Sequence, residues 1–261
     1  MQNHKLYANH SGFNPENKVC LVTGGSNGIG LSLINELIKR KAKKVINIDI
    51  KKNKNSYADF YFSDVGSSNK MIAVLDKIYK KYKNVDLVCS NAGVAKDDDA
   101  SATQKHWQSI IKTNLLQHTI LTRYCIPKML KKGEGWFLIT ASAAGLLSQV
   151  GSATYSTTKH ATVGFAEWLA ITYGEKKIGV SLLCPQGVST AMTEKIKDGG
   201  VAGIDGMLDP EDVANITLNS MSKGQFLITP HEAVRKYIKN KAADTERWIL
   251  GMRKLYKDYI V

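Results

Sequence analysis

Val19-Cys20-Leu21-Val22-Thr23-Gly24-Gly25-Ser26-Asn27-Gly28-Ile29-Gly30 runs from a short block of β formers into a turn crowded with glycine. Leu31 to Lys41 follows, with Leu33, Ile34, Leu37 and Ile38 on one helical face. The apolar block reads as a strand covered on both sides. Glycines at 24, 28 and 30 let the backbone turn tightly and approach a pyrophosphate, which would meet the N-terminus of the following helix. Ser26, Asn27 and Ile29 complete the stretch of backbone that would lie against it. A glycine-rich turn alone is a weak signal, but its place between a buried strand and an amphipathic helix is the context a dinucleotide site requires. The spacing here is G-x-x-x-G-x-G rather than G-x-G-x-x-G.

The same order repeats outward from this turn. Apolar runs recur at Val45–Asp49, Phe60–Asp64, Leu87–Ser90, Trp136–Thr140, Val180–Cys184 and Phe226–Thr229. Helical periodicity covers Met71–Tyr82, about Gln104 to Leu130 with an interruption near Pro127, and Ala153–Tyr173. A further helix over Pro210–Met221 opens with Asp209 as N-cap and Pro210 as first helical residue. Alternating strands and helices predict a doubly wound, seven-stranded parallel sheet of Rossmann type in one α/β domain over residues 18–230. Residues 1–17 are polar and aperiodic and read as a loose arm. Residues 231–261 place Tyr237, Ile238, Ala242, Trp248, Ile249, Met252, Leu255 and Tyr256 at helical spacing, which predicts a helical tail. That tail would dock on its own body or a partner subunit, or reach into an active site.

With 261 residues, 43% hydrophobic and 23% charged, the chain can bury a large core, and global disorder is excluded. The excess of 36 basic over 23 acidic residues gives a net charge of +13. The cations are mostly lysines scattered in short clusters where helices would end, and no element combines Arg with aromatics as a nucleic-acid surface would. No nucleic-acid partner is therefore expected; the field could instead draw in anionic substrates. No apolar stretch reaches membrane-spanning length and the first residues lack a secretory block, so a cytoplasmic protein with no membrane partner is expected. Cys20, Cys89, Cys125 and Cys184 show no metal-ligand spacing and read as reduced; no metal is expected.

Asp49 ends the second apolar run, where a carboxylate can accept hydrogen bonds from an adenosine ribose and repel a 2′-phosphate. Lys51 and Lys52 nearby pull the other way. In Tyr155-Ser156-Thr157-Thr158-Lys159 the phenol and the ammonium stand four apart on one helical face. A neighbouring ammonium favours a phenolate, so the Tyr155 pKa is expected to fall from its free value of about 10. Such a group could pass a proton to or from a carbinol oxygen during hydride transfer. Ser142, just past the fifth run, could hold the same oxygen.

Residues 18 to about 190 resemble the short-chain dehydrogenase/reductase family through several ordered motifs. The glycine turn is similar to the family's TGxxxGxG, Asp64-Val65 to its adenine-contacting pair, and Asn91-Ala92-Gly93 to its sheet-supporting, cofactor-lining motif. The resemblance implies that Asn114 holds a water leading to Lys159, and that Ser142, Tyr155 and Lys159 complete the catalytic set. It implies that Lys159 binds the ribose, and that the Val188 backbone and Thr190 hydroxyl hold the nicotinamide carboxamide. It also implies a homodimer or homotetramer. Two departures stand out: the helix usual between the second and third strands must be reduced or absent, and the chain continues well past the seventh strand. Val94, Ala143, Ala144, Leu146, Gln149, Gln186 and Met192 are candidate substrate contacts, under a long glycine-containing lid over 191–209. Most are small or apolar, which suggests a small hydrophobic alcohol or ketone. The expected function is an NAD-dependent secondary-alcohol dehydrogenase or carbonyl reductase. Two alternatives are an NADPH-dependent reductase of 3-oxoacyl thioesters and a non-catalytic nucleotide-sensing or nucleic-acid-binding protein on the same fold.

Overall fold

The computed structural model describes residues 12–194 and 196–260. Strands β1 (Val19–Thr23), β2 (Lys44–Asp49), β3 (Asp59–Phe62), β4 (Leu87–Ser90), β5 (Gly135–Thr140), β6 (Ile178–Leu183) and β7 (Leu227–Ile228) form one sheet. Their order is β3-β2-β1-β4-β5-β6-β7 and every pairing is parallel. The winding reverses between β1 and β4, so a crevice opens beyond the carboxyl ends of those strands.

Successive strand residues face opposite sides, and each side meets its own helical layer. Cys20 and Val22 pack with Leu33, Ile34 and Leu37 of α1 (Gly28–Lys39), where Val213 and Leu218 of a later helix join them. Leu21, Ile46 and Phe137 pack on the other side with Leu75 and Ile78 of α2 (Ser68–Tyr82). With both faces covered, β1, β4 and β6 are buried throughout, which is why they read as unbroken apolar runs. Lys39 and the pair Lys80 and Lys81 stand in the last turns of α1 and α2, complementing the helix dipoles. No helix separates β2 from β3, as their short spacing implied.

The predicted break near Pro127 falls elsewhere. The region divides into α3 (Gln104–Ile111), a π-helical turn (Lys112–Leu116) and α4 (Gln117–Lys132), with Pro127 inside α4. Pro127 sacrifices a single amide bond, whereas the wider turn is set by contacts at Asn114 described below. The helical layer that α2 and α4 build on this side is completed by α6 (Ala153–Tyr173), which follows the short α5 (Ala144–Leu147). Asp209 does precede α7 (Pro210–Ser222), but its side chain makes no capping bond.

The loose-arm expectation for 1–17 does not hold for its last six residues; the rest lie outside the described residues. Phe13 is buried, its ring centroid 6.0 Å from that of Trp136, and its amide donates to the Met221 carbonyl at 2.9 Å. The aromatic ring finds an apolar slot that local polarity could not reveal.

Past β7 the chain forms α8 (Glu232–Ala243) and α9 (Thr245–Tyr259), separated at Asp244, whose Oδ1 caps α9 through the Arg247 amide at 2.9 Å. Val234, Tyr237, Ile238 and Trp248 pack on Ala143, Leu146 and Leu147 of the chain's own body. Trp248 Nε1 donates to the Leu147 carbonyl at 3.3 Å, and Lys241 Nζ to that of Leu146 at 2.8 Å. Ile249 and Tyr256 share the helical spacing but remain exposed. No described helix is long and apolar enough to cross a membrane. All four cysteines are free and buried.

Candidate active site

The glycine turn leaves β1 at the winding reversal and is held from two sides. Gly24 takes a φ of +67°, and a Cβ there would sit 2.8 Å from the Ala92 Cα. At Gly30 a Cβ would fall 2.1 Å from the Gly24 carbonyl oxygen and 2.7 Å from Asn91 Nδ2. The first turn of α1 can therefore lie against the loop only because no side chain intervenes. From β2, Asn47 Oδ1 accepts from the Gly25 amide at 3.0 Å and Asp49 Oδ2 from the Ser26 amide at 3.0 Å. Asn27 caps α1 by accepting from the Gly28 amide at 2.7 Å. The cradle fits a dinucleotide: a tight glycine turn, a helix N-terminus and a carboxylate at the strand end.

Thr23 and Asn91 join the ends of three strands. Thr23 Oγ1 accepts from the amides of Asn91 and Ala92 at 3.0 and 3.2 Å. Asn91 Nδ2 donates to the Thr23 carbonyl at 3.2 Å, and its Oδ1 accepts from Thr140 Oγ1 at 3.1 Å. Behind them Ser90 bonds Nδ1 of buried His118 at 2.6 Å, and burial pushes that imidazole down to about 3, so it is neutral.

Asn114 lies in the π-helical turn and is fully buried. Its side chain grips Val94 by accepting from the amide and donating to the carbonyl, both at 2.9 Å. Its own carbonyl accepts from Thr162 Oγ1 on α6 at 2.9 Å. These bonds tie the loop after β4 to the helix that carries Tyr155 and Lys159. Asp98, in the same loop, accepts from the Thr154 amide at 3.0 Å and from the Thr154 hydroxyl, and bonds His106 Nε2 at 3.0 Å. Ser152 Oγ donates to the Lys96 carbonyl at 2.6 Å. The N-terminus of α6 is thus anchored one residue before Tyr155.

Lys159 is 2% exposed. Its Nζ donates to the Thr140 carbonyl at 3.2 Å and stands 5.5 Å from the Tyr155 ring centroid. Gly145 allows the approach of α5 to α6, since a Cβ there would lie 2.5 Å from the Lys159 carbonyl oxygen. Ser142 Oγ accepts from the Ala144 amide at 3.1 Å and donates to the Pro185 carbonyl at 3.4 Å, and its hydroxyl lowers the proton affinity of the Tyr155 phenol. The expected fall in the Tyr155 pKa is not found. Burial pushes the phenol up, and the Ser142 hydroxyl only works against that rise. The same burial lowers Lys159 to about 8.

The Lys159 shift has a stability consequence. An unfolded lysine keeps its proton to about 10.5, whereas the folded one releases it near 8, so between these values the unfolded chain binds more protons. Stability therefore rises with pH across that window, and the cost of burying the charge is fully felt below pH 8. Lys159→Met is expected to be more stable than the parent at pH 7 by up to about 3 kcal/mol, at about 1.36 kcal/mol per pK unit. The gain should fade between pH 8 and 10.5. Urea unfolding at pH 7 and pH 10 checks both the sign and the closure of the gap.

Most of the expected cofactor and catalytic residues line one cleft of about 400 Å³: Gly24, Asn27, Gly28, Ile29, Gly30, Asp49, Asp64, Val65, Asn91, Ala92, Gly93, Ser142, Tyr155, Lys159, Val188 and Thr190. Ser26 and Asn114 stand behind its wall and act through the bonds above. Of the substrate candidates, Val94 and Met192 line this cleft, Ala143, Ala144 and Gln149 line a second cavity, and Gln186 lines both. Leu146 lines neither; it is half-buried and packs between the core and the C-terminal helices. The 191–209 segment is pinned at its base by the Val188–Leu208 bridge. Asn47 and Asp98 escaped sequence reasoning. An amide inside the apolar Val45–Ile48 run was a usable signal for the first; Asp98 sits in Asp97-Asp98-Asp99, which reads as a solvated charge run.

The model of the short chain dehydrogenase family matches residues 18–200, which include the glycine turn and the Ser142, Tyr155 and Lys159 positions. The chain belongs to the short-chain dehydrogenase family. This short-chain dehydrogenase is 29% identical over 199 residues to the 3-oxoacyl-(acyl-carrier-protein) reductase FabG of Escherichia coli, covering 73% of this chain and 82% of that one. The enzyme of the same name from Thermotoga maritima is 26% identical over 248 residues, 90% of this chain and 94% of its own. A short-chain dehydrogenase/reductase from Burkholderia phymatum, solved in complex with NAD, superposes with a TM-score of 0.81 at 23% identity, over 90% of this chain and 96% of that one. The ligand-free aldohexose dehydrogenase of Thermoplasma acidophilum gives 0.76 at 22% identity, over 85% and 97%. The family match makes the protein an oxidoreductase that uses a nicotinamide cofactor.

Proposed function

We propose that this oxidoreductase is NAD(H)-dependent and interconverts a secondary alcohol and a ketone. The observation that carries the reading is the single cleft in which the glycine turn and Asp49 lie at one end and Ser142, Tyr155 and Lys159 at the other. Bound there, the nicotinamide supplies or accepts the hydride. Gly24 to Gly30 and the N-terminus of α1 would hold the pyrophosphate, Asp49 the adenosine ribose, Lys159 the nicotinamide ribose, and Val188 and Thr190 the carboxamide.

The substrate oxygen sits between the Ser142 and Tyr155 hydroxyls. Burial keeps the phenol protonated at neutral pH, so Tyr155 can donate to the oxygen as it gains negative charge in reduction, and accept the proton in oxidation. Lys159, protonated below about 8, stabilises the phenolate left behind. Ser142 shares the charge on the oxygen. Asn114 positions the relay that returns a proton towards Lys159, through its hold on Val94 and Thr162.

Asp49 supports NAD over NADP, because its carboxylate would face a 2′-phosphate. NADH should be preferred over NADPH by roughly tenfold or more in kcat/KM, and Asp49→Ser should remove most of that preference. Steady-state rates with both cofactors decide it; an NADPH preference in the parent would refute the Asp49 argument. The names of the FabG relatives favour a second reading, reduction of a 3-oxoacyl thioester. NADPH-linked turnover of such a thioester, well above that of any free ketone, would select it. A homodimer or homotetramer is part of the proposal. Trp168 and Ile171 on α6, 52% and 80% exposed, are apolar residues that a second copy would cover.

A further inference from the structure

The second cavity, about 530 Å³, adjoins the catalytic cleft: Ser142 and Gln186 line both. Its volume suits an organic molecule rather than a few waters. Its outer wall is built by the C-terminal helices, beyond the residues matched by the family model. Leu147, Ile204, Trp248, Met252 and Leu255 make most of the lining apolar, while Arg247 of α9 brings a cation to the same space.

The Arg247 guanidinium has no ion pair or side-chain hydrogen bond among the described residues; only its backbone amide is engaged, by Asp244 Oδ1. Of the acids in the same region, Asp244 also lines the cavity and gives its Oδ1 to the cap of α9, while both oxygens of Asp205 are taken, by Gln186 Nε2 at 2.8 Å and Tyr237 Oη at 3.0 Å. Lys241, the other cation of this region, is held by the Leu146 carbonyl at 2.8 Å. Near the catalytic end, Gln186 lines both spaces, and its Oε1 is buried with no partner among the described residues.

We propose that the substrate is a carbonyl compound whose apolar chain ends in an anionic group, with the carbonyl at Ser142 and Tyr155, the chain in the tail-walled cavity and the anion on Arg247. This rests on the alcohol–ketone reading above and adds the substrate class. A guanidinium on α9 at the exposed rim of this cavity, without a carboxylate partner among the described residues, suits a planar or tetrahedral anion. The net charge of +13 adds long-range attraction for the same ligands.

The test compares the parent, Arg247→Ala and Arg247→Lys on three ketones of matched chain length. One is neutral, one ends in a carboxylate, and one is a coenzyme A thioester whose anions are phosphates. In Arg247→Ala the kcat/KM ratio of anionic to neutral substrate should fall by about tenfold to a hundredfold, with the loss in KM, as for removal of a charge-assisted hydrogen bond. Arg247→Lys should recover part of it. A loss confined to the carboxylate or to the thioester identifies which anion the site takes. An unchanged ratio for both anions overturns the proposal. Titration of the keto acid against Trp248 fluorescence, with Trp248→Phe as control, separates this claim from the reading beneath it. Arg247-dependent quenching without turnover of any ketone keeps the anion site and rejects the proposed alcohol–ketone chemistry. Absence of both quenching and turnover rejects the anion site as well.

Discussion

Tyr155→Phe is expected to lose about a hundredfold to ten-thousandfold in turnover, in both directions, while still binding NADH. The substitution removes one oxygen and leaves the ring against Lys159, so the packing that seats α6 is kept. It takes away the proton donor in reduction and the acceptor in oxidation, and leaves Ser142 alone with the substrate oxygen. A loss of two to four decades corresponds to about 3–5 kcal/mol of transition-state stabilisation. Stopped-flow or steady-state absorbance of the reduced nicotinamide measures the rate, and fluorescence titration measures cofactor affinity. More than a tenth of the parent's activity, a loss below about 1.4 kcal/mol, would reject the acid–base role.

Gly30→Ala is expected to weaken NADH binding at least tenfold and to destabilise the fold by about 1–3 kcal/mol. The added methyl would meet the Gly24 carbonyl oxygen at 2.1 Å, and backbone on both sides of that contact cannot swing aside as a flexible side chain would. Relief requires α1 to move away from the turn. That displaces the amides that would face the pyrophosphate and disturbs the buried Leu33, Ile34 and Leu37 beneath them. For a domain of this size the melting temperature should drop by about 2–4 °C per kcal/mol. A variant with parental NADH affinity would show that the close approach of helix and loop is not what holds the dinucleotide.

Much of the site was legible because its signals are local. The glycine turn lies between β1 and α1 in sequence, Tyr155 and Lys159 are one helical turn apart, and Asp49 ends its own strand. Each signal needed only the periodicity of one element and the chemistry of one side chain. Asp98 was not legible, since it acts on Thr154, 56 residues away, and looks like part of a solvated acidic run. The arm shows the same limit: Phe13 lies in a polar stretch and finds its partners at Trp136 and Met221. The titration of Tyr155 was misjudged for a related reason. Spacing locates the ammonium, but the dielectric around the phenol depends on everything packed over it, and here burial pushes the phenol up.

The order of strands and helices, the two-sided cover of the sheet and the positions facing the dinucleotide cleft were determined by the sequence alone, because hydrophobic period and glycine placement act within a few residues. Tertiary structure alone decided that the C-terminal helices wall a cavity beside Ser142, that Lys159 is buried enough to titrate near 8, and that Arg247 faces that cavity without a carboxylate partner among the described residues. Those outcomes depend on which distant surfaces meet and how much water they exclude, and no single stretch of chain encodes either quantity.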